Sequence, residues 1–111
     1  MQSVEKLPSA ASSQITVSNT AQTLEQFIED AYGAKFTFKP NINACDLQVE
    51  AESIRYMIDG NTPTASLGIL LSASGVSVKQ FRGEELKKLK LIRATGSDAT
   101  CNVQIGVVNP L

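Results

Sequence analysis

The apolar residues between positions 21 and 32 recur every three or four residues, which is the spacing of an amphipathic α-helix. Gly33 follows directly and suits the residue just past a helix end. We favour packing of this stripe against a sheet over docking of a partner, because such stripes are normally buried. The stripe consists of Leu24, Phe27, Ile28 and Ala31.

Two starts of this helix are compatible with the sequence. Asn19 or Thr20 can cap it, which places the start before residue 21. A capping box can also join Asn19 to Gln22 or Thr23 to Gln26. Both starts stay open on the pattern alone.

Most other apolar residues alternate with polar ones, which is the pattern of β-strands that bury one face. Residues 67–71 form a short apolar run and predict a strand, whereas residues 84–87 predict one helical turn. The residues expected to mark these alternating strands are Ile15, Val17, Phe36, Phe38, Leu47, Val49, Ile54, Tyr56, Ile58, Val76, Val78, Leu89, Leu91, Ala94, Cys101, Val103, Ile105 and Val107.

The order of strands and turns predicts the fold class. Only the spacer 51–53 separates the strands on either side of it, so those two strands are expected to pair as an antiparallel hairpin. Short strands joined by turns predict a mainly β fold: a small antiparallel sandwich or barrel with one short helix near the N-terminus. The polar segment 1–13, which contains Pro8, predicts an extended arm before a single domain over residues 14–111.

Composition excludes several kinds of function. The chain has 111 residues and a net charge of −1, which argues against nucleic acid because counterion release needs excess Lys and Arg. It contains no His and no Trp, so the commonest general base and the best aromatic platform are missing. No nucleophile elbow is present either. We therefore predict a protein that is not an enzyme and that uses no metal or cofactor.

The two cysteines, Cys45 and Cys101, indicate the compartment. Residues 1–13 lack the apolar segment of a secretion signal, and no apolar run is long enough for a membrane helix. We expect folding in a reducing cytoplasm without a membrane partner, with both thiols free and buried. A disulfide stays open, because both residues lie in predicted strands.

Two acidic arrangements have simple structural explanations. Glu50 and Glu52 lie on one face and resemble a general acid and base, but solvated carboxylates at a strand end are far commoner. Asp59 and Asn61 have the spacing of the first ligands of a calcium loop, but Leu70 stands where the final carboxylate is required.

We interpret the segment 59–64 as a structural loop. Asp59 is expected to accept hydrogen bonds from its own loop amides, and Gly60 to adopt a positive φ. Thr62 and Pro63 complete the loop, with the proline stiffening its exit.

Lys87, Lys88, Lys90 and Arg93 form the one basic cluster of the sequence. A solvated strand edge is the default interpretation, because edge lysines discourage aggregation. Contact with an acidic partner surface is the alternative.

Two segments resemble small structural proteins of tailed bacteriophages. Residues 54–66 read Ile-Arg-Tyr-Met-Ile-Asp-Gly-Asn-Thr-Pro-Thr-Ala-Ser, similar to an Ile-Arg-Tyr strand followed by an Asp-Gly-x-x-Pro-Thr loop, and Gly68 with the pair Leu70-Leu71 continues the likeness. Residues 91–100 are similar to the closing hairpin of the same proteins, and a helix over residues 23–28 also fits. The N-terminal arm is not covered.

The resemblance implies a virion component made in the cytoplasm of the bacterial host. A capsid decoration (cement) protein that binds the major capsid protein as a homo-oligomer is the leading expectation, and a neck- or tail-associated protein is the runner-up. Many weak copies on a lattice gain affinity by multivalency. The residues expected to contact partners are Val4, Leu7, Pro8, Arg55, Met57, Lys88, Lys90 and Arg93.

The same loop is also similar to immunoglobulin-like modules of chitin-degrading enzymes. A carbohydrate-binding module is therefore the alternative of a different class. It requires a row of exposed aromatic side chains, which Tyr32 and Tyr56 do not supply convincingly.

Overall fold

The computed structural model describes residues 12–33, 35, 44–73 and 78–106. Within these ranges, eight strands and two short helices follow one another along the chain. Their bounds are β1 Ser12–Val17, β2 Gln22–Thr23, α1 Leu24–Tyr32, β3 Ala44–Ala51, β4 Ile54–Met57, β5 Ile69–Leu71, β6 Lys79–Arg82, α2 Glu84–Lys88, β7 Lys90–Arg93 and β8 Ala99–Gly106.

The strands form two four-stranded sheets in which every described pairing is antiparallel. Sheet 1 has the order β1-β8-β3-β6, and sheet 2 has the order β2-β7-β4-β5. The predicted mainly β, sandwich-like fold with a helix near the N-terminus is confirmed.

The core lies between the two sheets and is apolar throughout, with no polar or charged residue buried among the described ones. Tyr56 of β4 and Phe81 of β6 join the layers by an edge-to-face contact, with ring centroids 5.1 Å apart. The core cluster consists of Ile15, Val17, Leu24, Phe27, Ile28, Cys45, Leu47, Val49, Ile54, Tyr56, Phe81, Leu86, Leu89, Leu91, Ala99, Cys101, Val103 and Ile105.

Thr23 is the N-cap of α1, and its Oγ1 accepts a hydrogen bond of 3.2 Å from the backbone N–H of Gln26. The Thr23 alternative is therefore correct, and a cap at Asn19 or Thr20 is wrong. The earlier start fails because Gln22 and Thr23 pair with β7 as the short strand β2.

Helix α1 buries a stripe that is one residue shorter than the pattern suggests. Leu24, Phe27 and Ile28 are buried, whereas Ala31 is exposed near the helix end. Gly33 then caps the C-terminus, and its N–H donates to the Glu29 carbonyl oxygen at 2.8 Å. The stripe packs into the core and offers no docking face.

The hairpin expected around residues 51–53 does not form, because β3 lies in sheet 1 and β4 in sheet 2. The pairing register of β3 shifts between Val49 and Ala51, and Glu52 follows with a φ of +65°. The Ser53 carbonyl oxygen then accepts a 2.9 Å hydrogen bond from Ala94 beside sheet 2. A bulge and a left-handed residue thus turn the chain from one layer into the other.

The closing hairpin that the resemblance implied is absent for the same reason. Strand β7 belongs to sheet 2, and β8 pairs with β1 and β3 in sheet 1. The turn around residues 96–98 therefore connects two layers rather than two neighbouring strands.

Strands β6 and β7 also depart from the predicted alternation. Val78 lies just before β6 and is 58% exposed, and the strand buries Phe81 instead. In β7 the neighbours Leu91 and Ile92 are both buried, although Ile92 pairs beside Arg55 on the outer face of sheet 2. Ala94 lies past the strand end.

Several predicted features lie outside the described residues. These are arm residues 1–11, the strand at Phe36 and Phe38, and the positions Val76 and Val107. Strand β1 includes Ser12 and Ser13, so the last two residues of the proposed arm pair with β8.

Candidate partner-binding surface

The two thiols are built into the core of sheet 1. Cys45 and Cys101 are buried and free, which confirms their interpretation as small apolar residues. A disulfide is wrong, because Cys101 pairs opposite Val49, four residues along β3 from Cys45. Burial raises the pKa of both thiols to about 12, so they stay protonated and are poor nucleophiles at neutral pH.

The candidate acids serve separate hydrogen-bond networks. Glu50 Oε1 accepts from Gln14 Nε2 at 3.2 Å and from Asn102 Nδ2 at 3.1 Å on the outer face of sheet 1. Glu52 Oε1 accepts from Thr95 Oγ1 at 2.6 Å at the crossing between the sheets. The described residues contain no group of three or more acidic, His or Cys side chains that could hold a metal ion.

The loop that follows β4 is closed by its own side chains. Asp59 accepts hydrogen bonds from the backbone N–H of Asn61 at 3.0 Å and from its Nδ2 at 2.9 Å. The backbone N–H of Asn61 holds the pKa of Asp59 below its usual range. Gly60 has a φ of +89°. Because the Asn61 amide donates to Asp59, this pair has the geometry of a tight turn rather than of a cation site.

The exit of this loop returns to the outer face of sheet 2. Pro63 is buried there, and Thr62 Oγ1 accepts a 3.3 Å hydrogen bond from Lys90 Nζ. The loop therefore covers part of the face on which Lys90 and Met57 are paired.

Arg55 supports the next turn. Its Nε donates to the Ala65 carbonyl oxygen and its Nη1 to the Gly68 carbonyl oxygen, both at 2.9 Å. Thr64 and Leu67 exchange backbone hydrogen bonds of 2.9 and 3.2 Å across the same turn. The guanidinium thus holds residues 64–68 in place, and its Nε and Nη1 already donate hydrogen bonds within the molecule.

The other described contact residues are divided between the two faces of sheet 2 and helix α2, with Met57 and Lys90 on the same outer face as Arg55. Met57 is half-buried on β4, and Lys88 is exposed at the end of α2. Arg93 forms an ion pair of 2.5 Å with Asp98 and is paired beside a core residue of β4, on the opposite side of sheet 2 from Lys90. Val4, Leu7 and Pro8 lie outside the described residues.

A different set of residues forms the most exposed apolar area. Leu67, Ile69 and Leu70 are 56%, 54% and 48% exposed. They lie in or next to β5, which is the edge strand of sheet 2. We call these three residues the β5 edge surface.

Sequence reasoning missed this surface because an apolar run is normally taken as a buried strand. The available signal was the lack of alternation: residues 69–71 are all apolar, and so are apolar on both faces of the strand.

The β5 edge lacks charged residues and proline, two of the features that protect an edge strand. Strand β6, the edge of sheet 1, carries exposed Lys79 and Arg82. Residues 67–73 contain neither a charged residue nor a proline. An edge without such residues is suited to pairing with another strand.

Comparison with known proteins found no family model, no curated protein and no solved structure that matches this chain. Among the described helices, neither has the length and apolar character needed to cross a membrane. The functional assignment therefore depends on the exposed surface and on the sequence resemblance.

Proposed function

We propose that this protein is a bacteriophage virion structural protein that decorates the capsid lattice as a homo-oligomer. The observation that carries the proposal is the β5 edge surface, where large apolar side chains stay exposed on a sandwich with an otherwise apolar, closed core. Large apolar side chains that are exposed together at a strand edge are typical of an interaction site. The resemblance of residues 54–66 supplies the class of assembly.

The chemistry of the described side chains supports an assembly role. The thiols are buried and protonated, the candidate acids accept structural hydrogen bonds, and Arg55 is occupied by two carbonyl oxygens. These groups make contacts within the scaffold, and the β5 edge surface offers apolar contact for binding.

A capsid lattice compensates for a small contact area. The β5 edge surface has only three large side chains, which is little for a stable one-to-one complex. Repeated sites raise the effective concentration, so weak contacts add up to stable attachment. A neck or tail position, the alternative within the virion, offers fewer repeated sites.

The test is co-sedimentation of the full chain with emptied capsids of the phage that encodes it. We expect binding that saturates at a fixed number of copies per capsid, and no binding to purified tails. Binding to tails alone would move the protein to the neck or tail, and retention on chitin instead of capsids would support the carbohydrate-binding alternative.

A matched pair of variants tests whether the β5 edge surface matters for attachment. Leu70→Gln removes an exposed apolar side chain from the surface, and Val78→Gln removes a similarly exposed one from sheet 1. We expect Leu70→Gln to weaken capsid binding at least about tenfold, because multivalency multiplies each small loss. Equal binding by both variants would show that another surface docks on the capsid.

A further inference from the structure

We propose that the edge of β5 pairs antiparallel with β5 of a second copy about a two-fold axis near Leu70, which joins two copies of sheet 2 into one continuous sheet. This proposal rests on the proposed function and says how two copies of its homo-oligomer would contact each other. It concerns two copies in solution, however, and is tested without a capsid.

Among the described strands, β5 has a neighbour on one side only. Its three residues pair with β4 through Leu71 with Ile54, Leu70 with Arg55 and Ile69 with Tyr56. No other described strand lies beside β5. Within the described part of the chain, the second edge therefore presents N–H and C=O groups in the arrangement that accepts an added strand.

The side chains of β5 need a neighbour on both faces of the sheet. Ile69 pairs with Tyr56, whose side chain points into the core, yet Ile69 is 54% exposed. Leu70 lies on the outer face beside Arg55 and is 48% exposed. A strand added beside β5 would cover both side chains best if it were apolar on both faces.

Strand β5 itself has the required pattern. Antiparallel pairing about Leu70 places this residue beside its own counterpart, and places Ile69 beside Leu71 of the second copy. Apolar residues then meet apolar residues on both faces. The other described edge strands fit less well: β6 carries Lys79 and Arg82, β2 has only two residues, and β1 exposes the polar Gln14 and Thr16.

Charge does not oppose this pairing. Residues 67–73 carry no charge, so no like charges lie directly opposite. The two Arg55 residues are separated by three strand spacings of about 4.8 Å, roughly 14 Å, which exceeds the screening length of about 8 Å at physiological salt. Each guanidinium also stays bound to its own carbonyl oxygens.

The symmetry of this contact gives a closed dimer. Each copy uses the same edge, so the contact is isologous and leaves no β5 edge free for a third copy. Its small area predicts weak association in dilute solution. On a lattice, neighbouring copies reach effective concentrations in about the millimolar range, where such a contact is populated.

Sedimentation velocity of the full chain tests the dimer at concentrations up to about 1 mM. We expect reversible dimerisation, at least about tenfold weaker for Leu70→Arg and unchanged for the exposed control Val78→Arg. Circular dichroism checks that both variants are folded. A chain that stays monomeric throughout this range, or equal dimerisation of both variants, would overturn the proposal.

Cysteine cross-linking tests the register without weakening the interface by charge. Leu70→Cys places two thiols side by side at the two-fold axis, so oxidised glutathione should convert it to a covalent dimer. Val78→Cys is the control and should stay monomeric. Cys45 and Cys101 are buried and do not compete. Failure of Leu70→Cys to cross-link at millimolar concentration contradicts the register, whereas cross-linking without capsid binding leaves the dimer intact and removes the capsid role.

Discussion

At the residue scale, Gly60 and Gly68 both have a positive φ, but only Gly68 is also crowded by neighbouring atoms. Gly68 has a φ of +131°, and a Cβ there would lie 3.2 Å from Pro63 Cβ, 3.2 Å from the Tyr56 carbonyl oxygen and 3.3 Å from Arg55 Cβ. Gly60 has a φ of +89°, but a Cβ there would meet nothing within 4 Å. A side chain at residue 68 therefore adds overlap to strain.

We predict that Gly68→Ala lowers the free energy of unfolding by about 2–5 kcal/mol, which combines backbone strain with overpacking. Gly60→Ala is the matched control and should cost only about 1–2 kcal/mol, from its left-handed backbone alone. Urea unfolding at neutral pH measures both losses. Equal losses would show that the three atoms around Gly68 move aside freely.

The buried thiols predict a fall in stability at high pH. Burial raises the pKa of Cys45 and Cys101 from 9.0 to about 12, so the folded protein keeps both protons longer than the unfolded chain does. Their contribution to stability is complete below pH 9 and is lost as the pH rises from about 9 to 12.

Urea unfolding under reducing conditions at pH 8, 9.5 and 11 measures this dependence. The double variant Cys45→Ala, Cys101→Ala serves as the control: it should be less stable at pH 8 but should lose less stability as the pH rises. If the free energy of unfolding falls equally with rising pH in both proteins, other groups such as Lys and Tyr cause the loss of stability at alkaline pH.

At the element scale, the sequence predicts which side chains face the core better than it predicts which strands pair. Alternation identifies Ile54, Tyr56 and Val103 as core residues, because facing depends only on the local strand geometry. The sheet to which a strand belongs depends on the connection. Glu52 adopts a φ of +65° although it is not a glycine, so no turn residue marks the crossing from sheet 1 to sheet 2.

The exposure of β5 could also not be predicted from the order of apolar and polar residues. Ile69 lies on the same face of sheet 2 as the buried Tyr56 but is 54% exposed, so alternation around residue 69 does not decide its burial. The surroundings of the predicted contact residues also depend on the fold. Arg55 and Arg93 look like free cations in the sequence, but their partners, the Gly68 carbonyl oxygen and Asp98, become neighbours only in the folded chain.

At the scale of the whole molecule, the two sheets share one core cluster and should unfold as one unit. Phe81 is central to this coupling, because it is fully buried and contacts Tyr56 of the other sheet. Lys79 Nζ also lies 5.6 Å from the Phe81 ring centroid, at the margin of the same contact.

We predict that Phe81→Ala lowers the free energy of unfolding by about 3–5 kcal/mol, whereas Val78→Ala, at an exposed position near the same strand, changes it by less than about 0.5 kcal/mol. Native-state hydrogen exchange then reports how the loss is distributed. If one core holds both layers, protection of β8 in sheet 1 and of β4 in sheet 2 falls by the same amount. A loss confined to sheet 1 would mean that the layers open separately, and sheet 2 would then present the β5 edge from an independently stable unit.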